Sequence, residues 1–111
     1  MEQSVIDHLG ERGYDCVRSA ASKGAADIVA FHDREICLIQ AKAGLPAPVS
    51  PAERRELLRI AGRIGAVPVT VFRRPDRDDG RRHVLVFHRL TGQGPKEFEE
   101  WTPREGLTDG H

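Results

Sequence analysis

The chain has no apolar run near the roughly twenty residues that a membrane-spanning helix needs, and no charged-then-apolar leader follows Met1. The expectation is an intracellular protein, cytoplasmic and nucleoid-associated, or in a host cytoplasm if phage-encoded. Cysteine is scarce: Cys16 and Cys37 fall on predicted strands without Cys-x-x-Cys spacing. They read as small buried apolar residues, not as a disulfide or zinc framework. There is no internal repeat, Walker-type phosphate loop, dinucleotide fingerprint or nucleophile elbow, which removes several enzyme classes. A net charge is missing too, with 17 Lys and Arg against 17 Asp and Glu. By itself that argues against a nucleic-acid binder. The distribution says otherwise: residues 96–111 hold 2 basic against 5 acidic side chains, so residues 1–95 carry 15 against 12. An acidic tail masks a mildly basic body, and binding follows local fields, not totals.

At 111 residues the chain is long enough for one core and too short for a catalytic domain plus a separate binding domain. Its most informative stretch is Ala26 to Lys42. Two β-branched apolar runs, Ala26 to Phe31 and Ile36 to Lys42, flank His32-Asp33-Arg34-Glu35 and predict an antiparallel hairpin. If Phe31 pairs with Ile36, Asp27 faces Gln40 on one side of the sheet, and Lys42 follows two residues along. A turn with His32 opposite Glu35 keeps this register, whereas a loop of different parity would separate the groups. Both faces of the hairpin carry apolar side chains, so an Asp and a Lys at its end must be paired or employed. One reading is an ordinary ion pair. The other is chemical: a carboxylate and an amide oxygen can hold a hard divalent cation, while a neighbouring Lys orients water or offsets charge on a phosphate.

The rest of the chain frames that hairpin. Met1 to Arg12 predicts a helix closed by Gly13, with Glu2, Val5, Ile6 and Leu9 on one face. Glu2 on an apolar face either favours the helix's positive end or serves a site. Tyr14 to Ser19 predicts a short strand. Arg18 near its end, and Ser22 and Lys23 in the small-residue loop that follows, are candidates to meet phosphates, unless that loop is a plain connector. Ala43 to Pro48 is a Gly/Pro-rich linker. Ser50-Pro51-Ala52-Glu53 then announces a helix with a capping box, a buried stripe of Leu57, Leu58, Ala61 and Ile64, and an end at Gly65. On another side, Arg55, Arg59 and Arg63 form either a solvated face or a grip on a DNA arm. Val67 to Phe72 and His83 to Arg89 predict two more strands, joined by a charged loop with an Asp79-Gly80 turn. His83 and His88, five residues apart, fall on opposite faces of their strand. Residues 1–90 form the expected domain, and residues 91–111 a polar acidic tail, partly flexible or docking on a partner subunit, in which Phe98 and Trp101, spaced i and i+3, are placed to dock a short helical turn on the body or on a second subunit.

Asp27 followed by Gln40-Ala41-Lys42 resembles the signature of the PD-(D/E)xK nuclease superfamily, which places an Asp on one hairpin strand and Glu-x-Lys on the next. Within it, the early Glu2, Val17-Arg18-Ser19, the Ser22-Lys23-Gly24 loop and the hairpin look like the small archaeal-type Holliday junction resolvases, from Glu2 to about Arg89. Ala26 stands where that motif often has Pro, a residue that shapes a turn and binds nothing. Gln40 stands where it usually has an acid, which removes one negative charge and predicts weaker metal binding.

The resemblance implies an α/β, restriction-endonuclease-like fold with a mixed central sheet of about five strands flanked by helices, in the order helix, three strands, helix, two strands. It implies metal-dependent endonuclease activity, most of all paired nicking of four-way junctions in DNA recombination and repair. Catalytic positions are then Glu2, Asp27, Gln40 and Lys42. Mg²⁺, with Mn²⁺ as substitute, is held by Glu2, Asp27, Gln40 and the Ala41 carbonyl. Arg18, Ser22, Lys23, Arg55, Arg59 and Arg63 contact DNA, and a homodimer matches the junction's two-fold axis. Two rivals stand beside this: a nuclease of the same fold acting on flap, nicked or duplex DNA, and a noncatalytic DNA-binding module with a degenerate metal site.

Overall fold

A computed structural model describes residues 2–18, 26–42, 50–94 and 96–103. Helix α1 (Glu2–Gly10) is followed by strands β1 (Asp15–Arg18), β2 (Ile28–His32) and β3 (Glu35–Ala41). Helix α2 (Pro51–Ile64) crosses over to β4 (Val67–Pro75), β5 (His83–Leu90) and a short β6 (Phe98–Glu100). All six strands form one sheet in sequence order, antiparallel except where β4 lies parallel to β3. That single parallel step is why a helix must intervene between β3 and β4.

The hairpin adopts the tight form of the expected register. His32 pairs with Glu35, Phe31 with Ile36, and the ladder runs to Ile28 opposite Ile39. Asp33 makes the two-residue turn with φ 54°, a left-handed conformation that Asp tolerates better than bulkier side chains. Alternate residues then divide between two apolar layers. On one face Ile28, Ala30, Cys37, Ile39, Val69, Val71 and Phe87 pack with Val5 and Leu9 of α1. On the other, Leu38 and Leu90 meet Leu57 and Ala61 of α2, with Val29 partly buried beside them. The sheet is therefore covered by one helix on each side. Cys16 and Cys37 form no disulfide among the described residues, and Cys37 is buried.

Helix α2 starts as its sequence dictates. Ser50 Oγ accepts the Glu53 N–H at 3.1 Å while Glu53 Oε1 accepts the Ser50 N–H at 3.1 Å, Pro51 occupies the first turn, and Gly65 closes the helix at φ 73°. Its buried line differs from the expected one. Leu57 and Ala61 are buried and Leu58 partly so, but Ile64 is 49% exposed. Ile64 lies seven residues, about 20° around the helix, from the buried Leu57, so its exposure follows from its place as the last helical residue and not from its face. Arg54, at 6% exposure, completes the stripe instead. Its guanidinium Nη1 donates to the carbonyls of Gly92 (2.8 Å) and Glu97 (3.2 Å).

That anchor explains a second difference, in the tail. Phe98 and Trp101 do not lie on a helical turn: Phe98–Glu100 is a strand paired with β5, Leu90 opposite Phe98 and His88 opposite Glu100. A spacing of three, which stacks side chains on a helix, sends them to opposite faces of extended chain. Phe98 accordingly stacks on His88 with ring centroids 4.2 Å apart, while Trp101 reaches Phe87 at 5.6 Å and Tyr14 at 6.5 Å on the α1 side. The His83 to Arg89 strand runs one residue further than expected, to Leu90, and Val67 to Phe72 extends to Pro75.

Arg54→Ala removes both hydrogen bonds to the tail, taking this charged donor from the carbonyls of Gly92 and Glu97. Urea denaturation is expected to show a loss of about 2–3 kcal/mol, the range for hydrogen bonds made by a charged group. An unchanged midpoint would remove the anchor from the fold's stability.

Candidate active site at the strand ends

The polar groups gather where β2 begins and β3 ends. Asp27 lies one residue before β2, and its N–H donates to the Ile39 carbonyl at 2.8 Å. Alternate amides of a strand point to opposite edges. Lys42 gives its N–H to Val71 of β4 at 2.8 Å, so the Ala41 N–H turns toward β2, where Asp27 Oδ2 accepts it at 2.9 Å. The carboxylate is thereby fixed beside the backbone of Ala41.

Gln40 and Lys42 project from β3 toward the start of α2. Lys42 Nζ donates to both oxygens of Glu53, at 2.8 and 2.9 Å. Gln40 Nε2 donates to Glu53 Oε2 at 3.4 Å. Gln40 is 6% exposed, and its Oε1 is buried with no hydrogen-bond partner among the described residues. Turning the amide over would set that oxygen against the Glu53 carboxylate, so the Glu53 contact orients it. A buried acceptor without a donor costs about 1–3 kcal/mol, an imbalance that a bound ligand can relieve. Glu53 itself is held below the ordinary carboxylate value, first by the Lys42 hydrogen bond and then by the Ser50 N–H.

Glu2 and Arg18 sit together on the α1 side of the same sheet end. Arg18 pairs with Ile28, next to Asp27, and its Nε lies 4.0 Å from Glu2 Oε1 while its Nη2 donates to Gln3 Oε1 at 2.9 Å. Glu2 is thus engaged by Arg18, and among the described residues no group of three His, Cys, Asp or Glu side chains is placed to hold a metal ion; the expected set, with Glu2 and Asp27 its two acids, is not of that kind. Ser22 and Lys23 lie outside the described residues. Arg55, Arg59 and Arg63 are all exposed along α2, and Arg59 is engaged by Glu56 on the same helix. Glu53, visible in sequence as a capping residue, went unrecognised as a partner of Gln40 and Lys42. The available signal was an acid in the first turn of the helix that follows a motif one acid short.

A hard cation suits oxygen donors, and the strand end offers the Asp27 carboxylate together with the free Gln40 Oε1. The Lys42 ammonium adds a positive side chain at this strand end, partly buried and held by Glu53.

A family profile described as archaeal Holliday junction resolvase matches residues 1–96. The chain belongs to that family. As a resolvase it is a structure-selective DNA endonuclease, of a family whose nucleases are generally metal-dependent. No curated protein matches the sequence. Among solved structures, the Holliday junction resolvase of the archaeal hyperthermophile Archaeoglobus fulgidus is similar in fold, with a TM-score of 0.63 and 24% identity over 77% of this chain and 72% of that one. The mixed sheet with its two helices agrees with the restriction-endonuclease-like architecture expected for this resolvase. No helix among the described residues is long and apolar enough to cross a membrane.

The Glu53 carboxylate gives a pH signature. Its folded-state value lies below the ordinary 4.5, so its contribution to stability is complete above about pH 4.5 and is lost as the pH falls through the lower folded value. The stability difference between the resolvase and its Glu53→Gln variant should therefore be constant from pH 5 to 7, in chemical denaturation at about those values, and shrink in more acidic buffer. A difference that grows on acidification would contradict the pairing.

Proposed function

We propose that this resolvase cuts four-way DNA junctions by Mg²⁺-dependent hydrolysis, with Asp27, Gln40 and Lys42 as its catalytic centre and a homodimer presenting two such centres to the junction. The observation that carries the reading is the meeting of these residues at adjoining strand ends, with a buried amide oxygen left open beside a fixed carboxylate. Asp27 and Gln40 Oε1 would hold the cation. The Ala41 carbonyl, which shares the strand edge of its own N–H and so faces Asp27, would add a third oxygen. When bound, the cation supplies Lewis-acid polarisation of the phosphodiester and lowers the cost of deprotonating water.

The chain's own groups do the rest. Lys42 Nζ places a donor where water approaches phosphorus and where negative charge gathers as a bridging P–O bond breaks. Arg18, beside Asp27 in the register, faces the DNA backbone with Ser22 and Lys23, and Glu2 steers Arg18 or joins the cation's outer surroundings. Arg55 and Arg63, exposed on α2, offer counter-charges to a duplex arm at a distance from the cutting site. Two nicks placed symmetrically require two centres related by a two-fold axis, hence the dimer.

Purified protein offered a four-way junction, a flap and a linear duplex, each with Mg²⁺, Mn²⁺ or chelator, tests the proposal. Cleavage should be confined to the junction and vanish with chelator. Asp27→Asn should lower the cutting rate by roughly 10²-fold or more while junction binding in a gel-shift assay persists. Full cutting by that variant, or equal cutting of linear duplex, would refute the assignment.

A further inference from the structure

The Gln40 substitution leaves the strand-end motif with one acid, yet a second carboxylate already stands in contact with it. Glu53 touches Gln40 Nε2 at 3.4 Å and Lys42 Nζ at 2.8 Å, and Gln40 connects it to the backbone that Asp27 grips at Ala41. We infer that Glu53, from the first turn of α2, is the second carboxylate of the metal site and replaces the charge that position 40 lacks. The inference rests on the metal-dependent reading above and adds a residue to it.

Three observations support it. Gln40 is almost fully buried with Oε1 unpartnered, so the space between the strand end and α2 contains an acceptor facing no donor among the described residues. Glu53 Oε1 holds the Ser50 N–H as well as Lys42 Nζ, whereas Oε2 accepts only from the side-chain donors Gln40 Nε2 and Lys42 Nζ, so Oε2 is the oxygen that side-chain rotation would release to an electropositive occupant beside Gln40. Next, the Lys42 ammonium is drawn to both oxygens of Glu53, showing that this carboxylate attracts positive charge at the strand end. Finally, Glu53 is not free to wander: the reciprocal capping bonds with Ser50 fix the helix start from which its side chain reaches inward. Hard cations bind more tightly as the number of charged oxygen ligands rises, so Asp27 and Glu53 together restore the charge that Asp27 and Gln40 fall short of. In this arrangement Lys42 and the cation share one carboxylate, which keeps the amine next to the reacting phosphate.

Glu53→Gln is a discriminating substitution because Gln can accept the same Ser50 N–H and preserve the capping box while the charge is lost. Mn²⁺ titration of the full chain without DNA, with free ion followed by electron paramagnetic resonance, reads affinity directly. Glu53→Gln should weaken Mn²⁺ by roughly tenfold or more, and adding Gln40→Glu to it should restore most of the loss. Circular dichroism of each variant verifies that α2 is intact. If Glu53→Gln binds Mn²⁺ as tightly as the unaltered protein while Asp27→Asn does not, Glu53 is no ligand and the proposed function survives. If Asp27→Asn also binds normally, or the unaltered chain shows no saturable binding, the metal site itself is misplaced and this inference falls with it.

Discussion

Everything at the strand ends depends on the parity of one turn. Two residues, Asp33 and Arg34, separate the paired His32 and Glu35, and each ladder position up to Ile28 and Ile39 inherits that register. With side chains alternating at period two, one added residue would move Gln40 and Lys42 to the α1 face and turn Cys37 and Ile39 toward α2. The core would resist such a slip, since Ile28, Cys37 and Ile39 are completely buried on the α1 side. Hydrophobic packing thus holds the polar groups in place without touching them.

The second constraint is electrostatic. Three neighbouring residues of β3 and its exit serve two directions: Gln40 and Lys42 reach α2, and the Ala41 amide reaches Asp27. The parallel bond from Lys42 to Val71 ties that geometry to the middle of the sheet. A single pairing mistake between β3 and β4 would disturb both the amide that holds Asp27 and the side chain that meets Glu53. Charged groups in such partly buried surroundings keep more of their interaction than surface pairs do. The chain concentrates its most consequential charges on segments whose backbone hydrogen bonds leave little freedom.

What could be read from the residues followed distance along the chain. The hairpin, the Ser50 to Glu53 capping box and the Gly65 stop are written in consecutive residues, and each appeared where the chemistry of those residues puts it. The resemblance at Asp27 and Gln40-Ala41-Lys42 was legible for the same reason, and membership of the resolvase family agrees with it. The misreadings involve partners far away in sequence. Phe98 and Trp101 satisfy a helical spacing and a two-faced extended spacing equally, and only β5, about ten residues earlier, decides between them. Ile64 looked like core, and Arg54 did not, until the carbonyls of Gly92 and Glu97 supplied the arginine with a reason to be inside. Glu53 served two partners, and only the local one was visible from its neighbours.

The buried arginine has a consequence for how the chain assembles. Its guanidinium belongs to a helix in the middle of the sequence, while the oxygens that receive it come some forty residues later, so the closure waits on a long loop. Until the terminal edge strand docks, α2 carries an unsheltered cation on the side meant for the sheet. Docking of residues 92–97 thus seals the helix whose opening turn bears Glu53, so the order of that turn is tied to a contact made across the chain.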